Sequence, residues 1–356
     1  MKFLIIGQGL AGTTIGFRLR QAGHEVHYAD APGQTAASRV AAGIVNPVTG
    51  RRFVKSWRID ELIPEAKTLY GALEDLLDVR LWYEQPLIRT LYNRGDLNDW
   101  QARSADPGYP EYLEDNPDPG RIPELTAPVF AYAGVRRAAR VDVSTLVSAY
   151  RRKMLAEGCF TGAEIDYSTI PALLGADAGA RKGIDGTPAT YHHVICCEGW
   201  RARHNPYFSY LPHGGNKGEV LIVKTRAPLL DRMFKHRVFL VPLADDTYWV
   251  GATSENRFTD DAPTAANRGF LADRLAEVLT GTHYEIVGHH AAVRPTVRDR
   301  RMFIGTHPGL KQLHILNGLG TKGASLAPLG SRWLSAHLLA GQEIPGEVNI
   351  TRFDPN

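Results

Sequence analysis

Behind Lys2, the run Phe3-Leu4-Ile5-Ile6 is continuously apolar and stops at Gly7. About twenty residues later a second run, His24-Glu25-Val26-His27-Tyr28-Ala29, ends on Asp30. Short apolar runs bounded in this way predict two strands with a helix between them. Residues 36–44 are rich in small side chains and follow Pro32-Gly33, which predicts an extended loop and not a helix. Residues 60–78 carry apolar positions at helical spacing from an acidic start. Residues 79–92 predict a strand pair around Trp82-Tyr83 and Leu87-Ile88, and Asn116-Pro117-Asp118-Pro119-Gly120 a turn-rich break. Val141-Asp142-Val143-Ser144 opens a helix with Leu146, Val147, Tyr150, Met154 and Leu155 on one face, closed by Gly158.

Further on, residues 191–197 predict a strand that runs into Glu198-Gly199-Trp200. From 217 to 253 the pattern is hairpin-like: strands at 219–223 and 237–242, a turn at Asp245-Asp246, then a strand at 248–251. Residues 265–280 predict a helix, 313–316 a strand, and about 324–340 a closing helix after a glycine loop. Strand–helix pieces at the start, middle and end therefore bracket two β-rich insertions. One chain crossing between two domains is expected: a nucleotide domain of residues 1–60, 141–205 and 291–356, and a second domain of 61–140 and 206–290. Ligand sites favour such interfaces. A nicotinamide dehydrogenase more often keeps its nucleotide domain contiguous, so the interleaving favours a flavin.

Composition narrows the class. A chain of 356 residues, 44% apolar and 22% charged, suits two joined domains with ample core. A net charge of +3 is too small to argue for nucleic acid by itself. The first apolar run is too short for a signal peptide, and no run of ~18 apolar residues exists to span a membrane. Cys159, Cys196 and Cys197 are odd in number and two are adjacent, which argues against a disulfide framework and points to a reducing cytoplasm.

The chemistry concentrates at the glycines. In Gly7-Gln8-Gly9-Leu10-Ala11-Gly12, Gly7 allows the tight turn, Gly9 lets backbone approach a pyrophosphate, and Gly12 lets the helix sit against the strand. The helix N-terminus presents N–H groups and a positive dipole end to phosphate. Asp30 would accept from a ribose diol and repel a 2′-phosphate.

Together with later segments, this opening resembles the D-amino-acid-oxidase-like family of FAD-dependent oxidoreductases over nearly the whole chain. Ala41-Ala42-Gly43-Ile44 is similar to the family's loop beside the isoalloxazine. The segment from Val194 to Trp200 resembles its second dinucleotide-side strand, and Val250-Gly251-Ala252-Thr253 its substrate hairpin. Val293-Arg294-Pro295 with Phe303-Ile304-Gly305 matches its Arg-Pro and Ile-Gly segment, and residues 318–328 its closing loop and helix. The resemblance implies a FAD-binding Rossmann-type, glutathione-reductase-like α/β domain interleaved with an α+β antiparallel-sheet substrate domain. It implies cofactor contacts from Gly7, Gly9, Leu10, Ala11, Gly12, Asp30, Ala31 and Ser38. A second group would come from Ala41, Ala42, Gly43, Gly199 and Trp200. The last group is Arg294, Gly318, Leu319, Gly320, Thr321, Lys322 and Gly323.

Within the family, the closing loop is similar to the flavin half of the bifunctional enzyme that trims a carboxymethyl group from tRNA wobble uridine, and glycine oxidase is also close. The resemblance assigns Arg294 to a substrate carboxylate, which a guanidinium fork can grip through both oxygens. The other reading is a surface arginine among Arg298, Arg300 and Arg301. Lys322, with the helix start at Gly323-Ala324, would stabilise negative charge on a reduced flavin, or else is a solvated loop lysine.

Three positions depart from the family: Phe239 replaces a tyrosine of glycine oxidase, Trp249 a lysine of the sarcosine-oxidase branch, and Glu198 a small apolar residue. The second of these leaves the electron acceptor open. No residue stands out for covalent flavin attachment. Phe239 and Trp249 would wall the substrate. The expected reaction is oxidation of a C–N bond in a small amino acid or secondary amine, by hydride transfer to flavin N5 and hydrolysis of the imine. The alternatives are tRNA trimming and a non-catalytic flavin subunit. The paired His192-His193 and His289-His290 read as strand alternation and not as metal ligands. The basic-aromatic stretch from Arg51 to Arg58 could receive RNA, bind cofactor phosphates or an acidic substrate, or form a solvated face.

Overall fold

The structure is a computed structural model, and it describes residues 1–114, 129–174, 190–226, 229–279 and 282–353. The glycine-bounded runs form the centre of a six-stranded sheet. In spatial order its strands are Phe160–Thr161, Glu25–Ala29, Lys2–Ile6, His193–Cys196, Leu310–Asn317 and Phe303–His307. All neighbours are parallel except the last pair. A parallel strand covered on both faces must be apolar throughout. Phe3, Leu4 and Ile5 accordingly have no solvent exposure. Helix Leu10–Gln21 leads from the first strand and packs on the C-terminal helix Gly323–Ala340.

A second sheet has seven strands: Tyr284–Val297, His213–Thr225, Thr247–Gly251, Val238–Pro242, Met233–His236, Leu87–Leu91 and Ala131–Val135. It is antiparallel apart from the pairing of Met233–His236 with Leu87–Leu91. The expected turn at Asp245-Asp246 is present, and both residues have φ of 54°. Such a left-handed pair suits the twist of a hairpin.

Several elements differ from expectation. Residues 36–44 hold one helical turn, Ala37–Val40, because Arg39 N–H bonds Ala36 O and Ala41 N–H bonds Ala37 O. The helix expected at 141–158 spans Val143–Ala156, and Leu155 is exposed. Met154 takes the buried place in that turn, and the next residue stands about 100° further round. Arg237 lies in a turn at φ 51° and not in a strand. The strand before it, Met233–His236, had no sequence reading. The helix expected at 265–280 ends at Ala276, and residue 280 lies outside the described residues. The Asn116–Gly120 break also lies outside them. The histidine pairs alternate as expected: His193 stacks on Phe3 while His192 is exposed, and His289 meets Glu219 while His290 is exposed.

Candidate active site

A cavity of about 710 Å³ lies where the two sheets meet. Its wall draws on the loop from Gly7 to Ala11, the strand end Asp30-Ala31, residues 33–44, the corner from Cys197 to Trp200, and residues 319–321 with 323 and 324. Asn216, Gly218, Val220, Phe239, Trp249, Gly251 and Arg294 line it from the second sheet. Of the candidates read from sequence, Gly7, Gly9, Leu10, Ala11, Asp30, Ala31, Ser38, Ala41, Ala42 and Gly43 are on the wall. So are Gly199, Trp200, Phe239, Trp249, Arg294, Leu319, Gly320, Thr321 and Gly323.

Gly12, Gly318 and Lys322 are not wall residues. A Cβ on Gly12 would stand 2.1 Å from Gly7 O, so this glycine sets how tightly helix meets strand. Gly318, at φ 73°, packs where a Cβ would meet Val297. The Lys322 ammonium donates to Ser56 Oγ at 3.0 Å and Thr49 Oγ1 at 3.3 Å. Burial, and then Arg300 and Arg301, push its pKa down.

At one end of the cavity, Gly7 sits at φ 92° with no room for a Cβ, which would be 2.5 Å from Cys197 O. Helix Leu10–Gln21 starts without a side-chain cap at Gly9, and Leu10 N–H donates to Ser38 Oγ at 3.0 Å. Asp30 is not free: Arg151, on helix Val143–Ala156, bonds its carboxylate and also Gln8 Oε1 at 2.7 Å. Gln8 in turn donates to Thr13 Oγ1 and Val147 O. Sequence reading missed this brace, because Arg151 is 121 residues from Asp30 and carries no motif.

Glu198 also has a physical account. Its carboxylate accepts from Tyr167 Oη and from Asn205 Nδ2 at 2.9 Å, so both oxygens are satisfied where an apolar residue was expected. Burial raises its pKa.

At the other end, Arg294 is half-buried on strand Tyr284–Val297, opposite Asn216 in register. Its Nη1 donates to Asn216 Oδ1 at 2.6 Å and Thr253 O at 3.3 Å. No carboxylate pairs with it among the described residues. Burial alone pushes its pKa down. Asn216 was missed in the sequence, since only the strand register brings it to Arg294. Trp249 is fixed by its Nε1–H bond to Val40 O at 2.8 Å. Lys235, a wall residue also missed, holds its ammonium 4.5 Å from the centre of the Phe239 ring.

The stretch from Arg51 to Arg58 is absent from the wall. Phe53 packs on Trp100, Lys55 pairs with Asp60, and Arg58 pairs with Glu61 and Glu347. Arg51 and Arg52 are exposed.

Residues 2–337 match the family described as FAD dependent oxidoreductase. The chain belongs to that family. The glycine oxidase of Bacillus licheniformis is 24% identical over 97% of this chain and 94% of its own length. In fold, the glycine oxidase of Geobacillus kaustophilus matches with a TM-score of 0.78 at 21% identity, over 99% of this chain and 98% of that one. The iminodiacetate oxidase of Chelativorans sp. BNC1 gives 0.76 at 20% identity, with the same coverage. This FAD-dependent oxidoreductase has a cradle whose residues fit the cofactor. The start of helix Leu10–Gln21, where the N-cap Gly9 has no side chain, and the crowded backbone at Gly7 would hold the pyrophosphate. Asp30 would offer a ribose the carboxylate oxygen that Arg151 does not bond. The N-terminus of helix Gly323–Ala340 also lacks a side-chain cap and opens on the cavity, suited to negative charge on the flavin ring. No helix among the described residues is long and apolar enough to cross a membrane.

Proposed function

We propose that this enzyme oxidises the C–N bond of a small amino acid or secondary amine whose carboxylate is held by Arg294. One observation carries the reading: a guanidinium on the cavity wall, steered by Asn216 and Thr253 O, with no carboxylate partner among the described residues. A half-buried cation of this kind is best satisfied by an anionic ligand. FAD, when bound, supplies a two-electron acceptor for the hydride leaving the carbon beside nitrogen. The protein's share is orientation. Arg294 would set the carboxylate, while Phe239 and Trp249 would restrict the amine to one approach. Lys322 is proposed to support the loop before the last helix, through Ser56 and Thr49. Names of similar proteins favour the same substrate class, since they include glycine oxidase and iminodiacetate oxidase.

We further propose that residues 1–60, 141–205 and 291–356 act as the cofactor domain and the remainder as the substrate domain, except that residues 291–297, Arg294 among them, pair in the second sheet as the end of strand Tyr284–Val297. The test is an anaerobic panel of amines and amino acids, read by bleaching of the flavin band. Reduction by amino acids or N-alkyl amino acids, lost in Arg294→Leu, is the expected result. Reduction of neutral amines and acids alike, unchanged in that variant, would refute the carboxylate role.

A further inference from the structure

The strand registers align Val220, Gly251, Phe239, Lys235 and Arg89 across five neighbouring strands of the second sheet. Residues in register share a face. Val220, Gly251, Phe239 and Lys235 all reach the cavity wall. Lys235 lies over the Phe239 ring and donates to Arg237 O. Arg89, its neighbour in register, lies over Phe53 at 4.4 Å. Arg89 Nη1 reaches Gly50 O at 3.4 Å, and its Nε is buried without a hydrogen-bond partner.

Two cations thus stand side by side in a half-buried place, and neither forms an ion pair with an acid among the described residues. Burial, and then the charge of Arg89, push the Lys235 pKa down to about 8. Placing like charges together and desolvating them is unfavourable, and an anion between them offsets that cost.

The Arg294 guanidinium lies over Gly218, on strand His213–Thr225. The Phe239 strand is two places further across the sheet. Two strand spacings amount to ~10 Å. That exceeds the reach of a single carboxylate.

We propose that Lys235, backed by Arg89, is a second anion-binding position that selects amine substrates carrying a further acidic group ~10 Å from the carboxylate on Arg294. This rests on the amine-oxidation reading and on the placing of Arg294. The further acid would meet the ammonium above the Phe239 ring, with the methylene chain lying along that ring and Trp249. A substrate of matching length without the second acid would leave the two cations unpaired.

The test uses the FAD-loaded enzyme without oxygen and two ligands of similar length, N-(5-carboxypentyl)glycine and N-hexylglycine. Binding is read from perturbation of the flavin spectrum. The native enzyme is expected to bind the diacid at least tenfold more tightly. In Lys235→Met that ratio should fall to near one, and Lys235→Arg should restore most of it. Equal binding of both ligands by the native enzyme overturns the proposal, and so does a ratio that survives in Lys235→Met. If neither ligand nor any amino acid perturbs or bleaches the flavin, the amine reading falls as well. If N-hexylglycine binds and only the preference is missing, the second anion position alone falls.

Discussion

Gly218 leaves open the space that the Arg294 guanidinium fills: a Cβ there would stand 2.0 Å from Nη2. Gly218 is in ordinary backbone geometry, so its value lies in the missing side chain and not in its dihedral angles. Gly218→Ala should therefore fold, retain FAD and push Arg294 out of place. Charge-assisted hydrogen bonds contribute ~1.5–3 kcal/mol each. Loss of one predicts a Kd for carboxylate ligands weaker by about 10- to 150-fold. Titration of the flavin spectrum with an amino acid analogue checks this, and an unchanged Kd would contradict the proposed role of Arg294.

The second prediction concerns the Asp30 carboxylate, which Arg151 already holds in place. Pre-orientation of this kind lowers the cost of binding a diol. Asp30→Asn keeps the shape but removes the carboxylate charge that faces Arg151 and the ribose. Apoprotein carrying it is expected to bind FAD about tenfold more weakly, or ~1.4 kcal/mol. Flavin fluorescence during equilibrium dialysis measures this, and equal affinity would place the ribose elsewhere.

The cofactor half was legible because its chemistry is local: Gly7, Gly9, Gly12 and Asp30 fall within one strand–helix–strand unit. Residues such as Ser38 and Ala42 came only through the family resemblance, and they also reached the cavity wall. The substrate half was legible only in part, since its contacts depend on strand register. Asn216 and Arg294 are 78 residues apart and meet because their strands pair. Lys235 was overlooked because its four-residue strand is too short for a period to show. Glu198 looked anomalous because its partners, Tyr167 and Asn205, lie on separate segments. For Arg294 and Glu198 packing between distant segments decided the neighbour, and for Lys235 the short strand itself went unread.

A third prediction addresses stability. Lys217 and Glu219 are 3% and 0% exposed, and their charges approach to 3.5 Å. Glu219 also accepts from Thr264 and Asn267 at the start of helix Ala265–Ala276, and meets His289. Among the described residues, Glu219→Ala would leave the Lys217 ammonium with only the longer acidic contact to exposed Asp260, at 3.6 Å. Breaking one half of a buried pair costs ~3–5 kcal/mol. Urea unfolding should show a loss of that order, and the double change Lys217→Met with Glu219→Leu should recover part of it. A loss below ~1 kcal/mol would mean that water or Asp260 already carries the charge.

The last prediction is a pH dependence seated at His314. This ring is 2% exposed, joined to His193 Nδ1 at 3.0 Å and Thr306 Oγ1 at 2.9 Å. Burial, followed by the charges of His193 and His337, pushes its pKa down to about 3. In the unfolded chain the same ring takes a proton near pH ~6.5. A lowered folded-state value means that the unfolded chain binds more protons between these limits, so stability falls as pH drops from ~6.5 toward 3. The slope from this ring is on the order of 1 kcal/mol per pH unit. His193 is shifted in the same direction and adds to it. His314→Gln can keep hydrogen bonds to both neighbours but cannot titrate. Its stability should therefore decline less steeply between pH 6.5 and 4 than that of the native protein, as read from urea midpoints across that range. Parallel curves for the two proteins would show that the ring is protonated at little cost inside the fold.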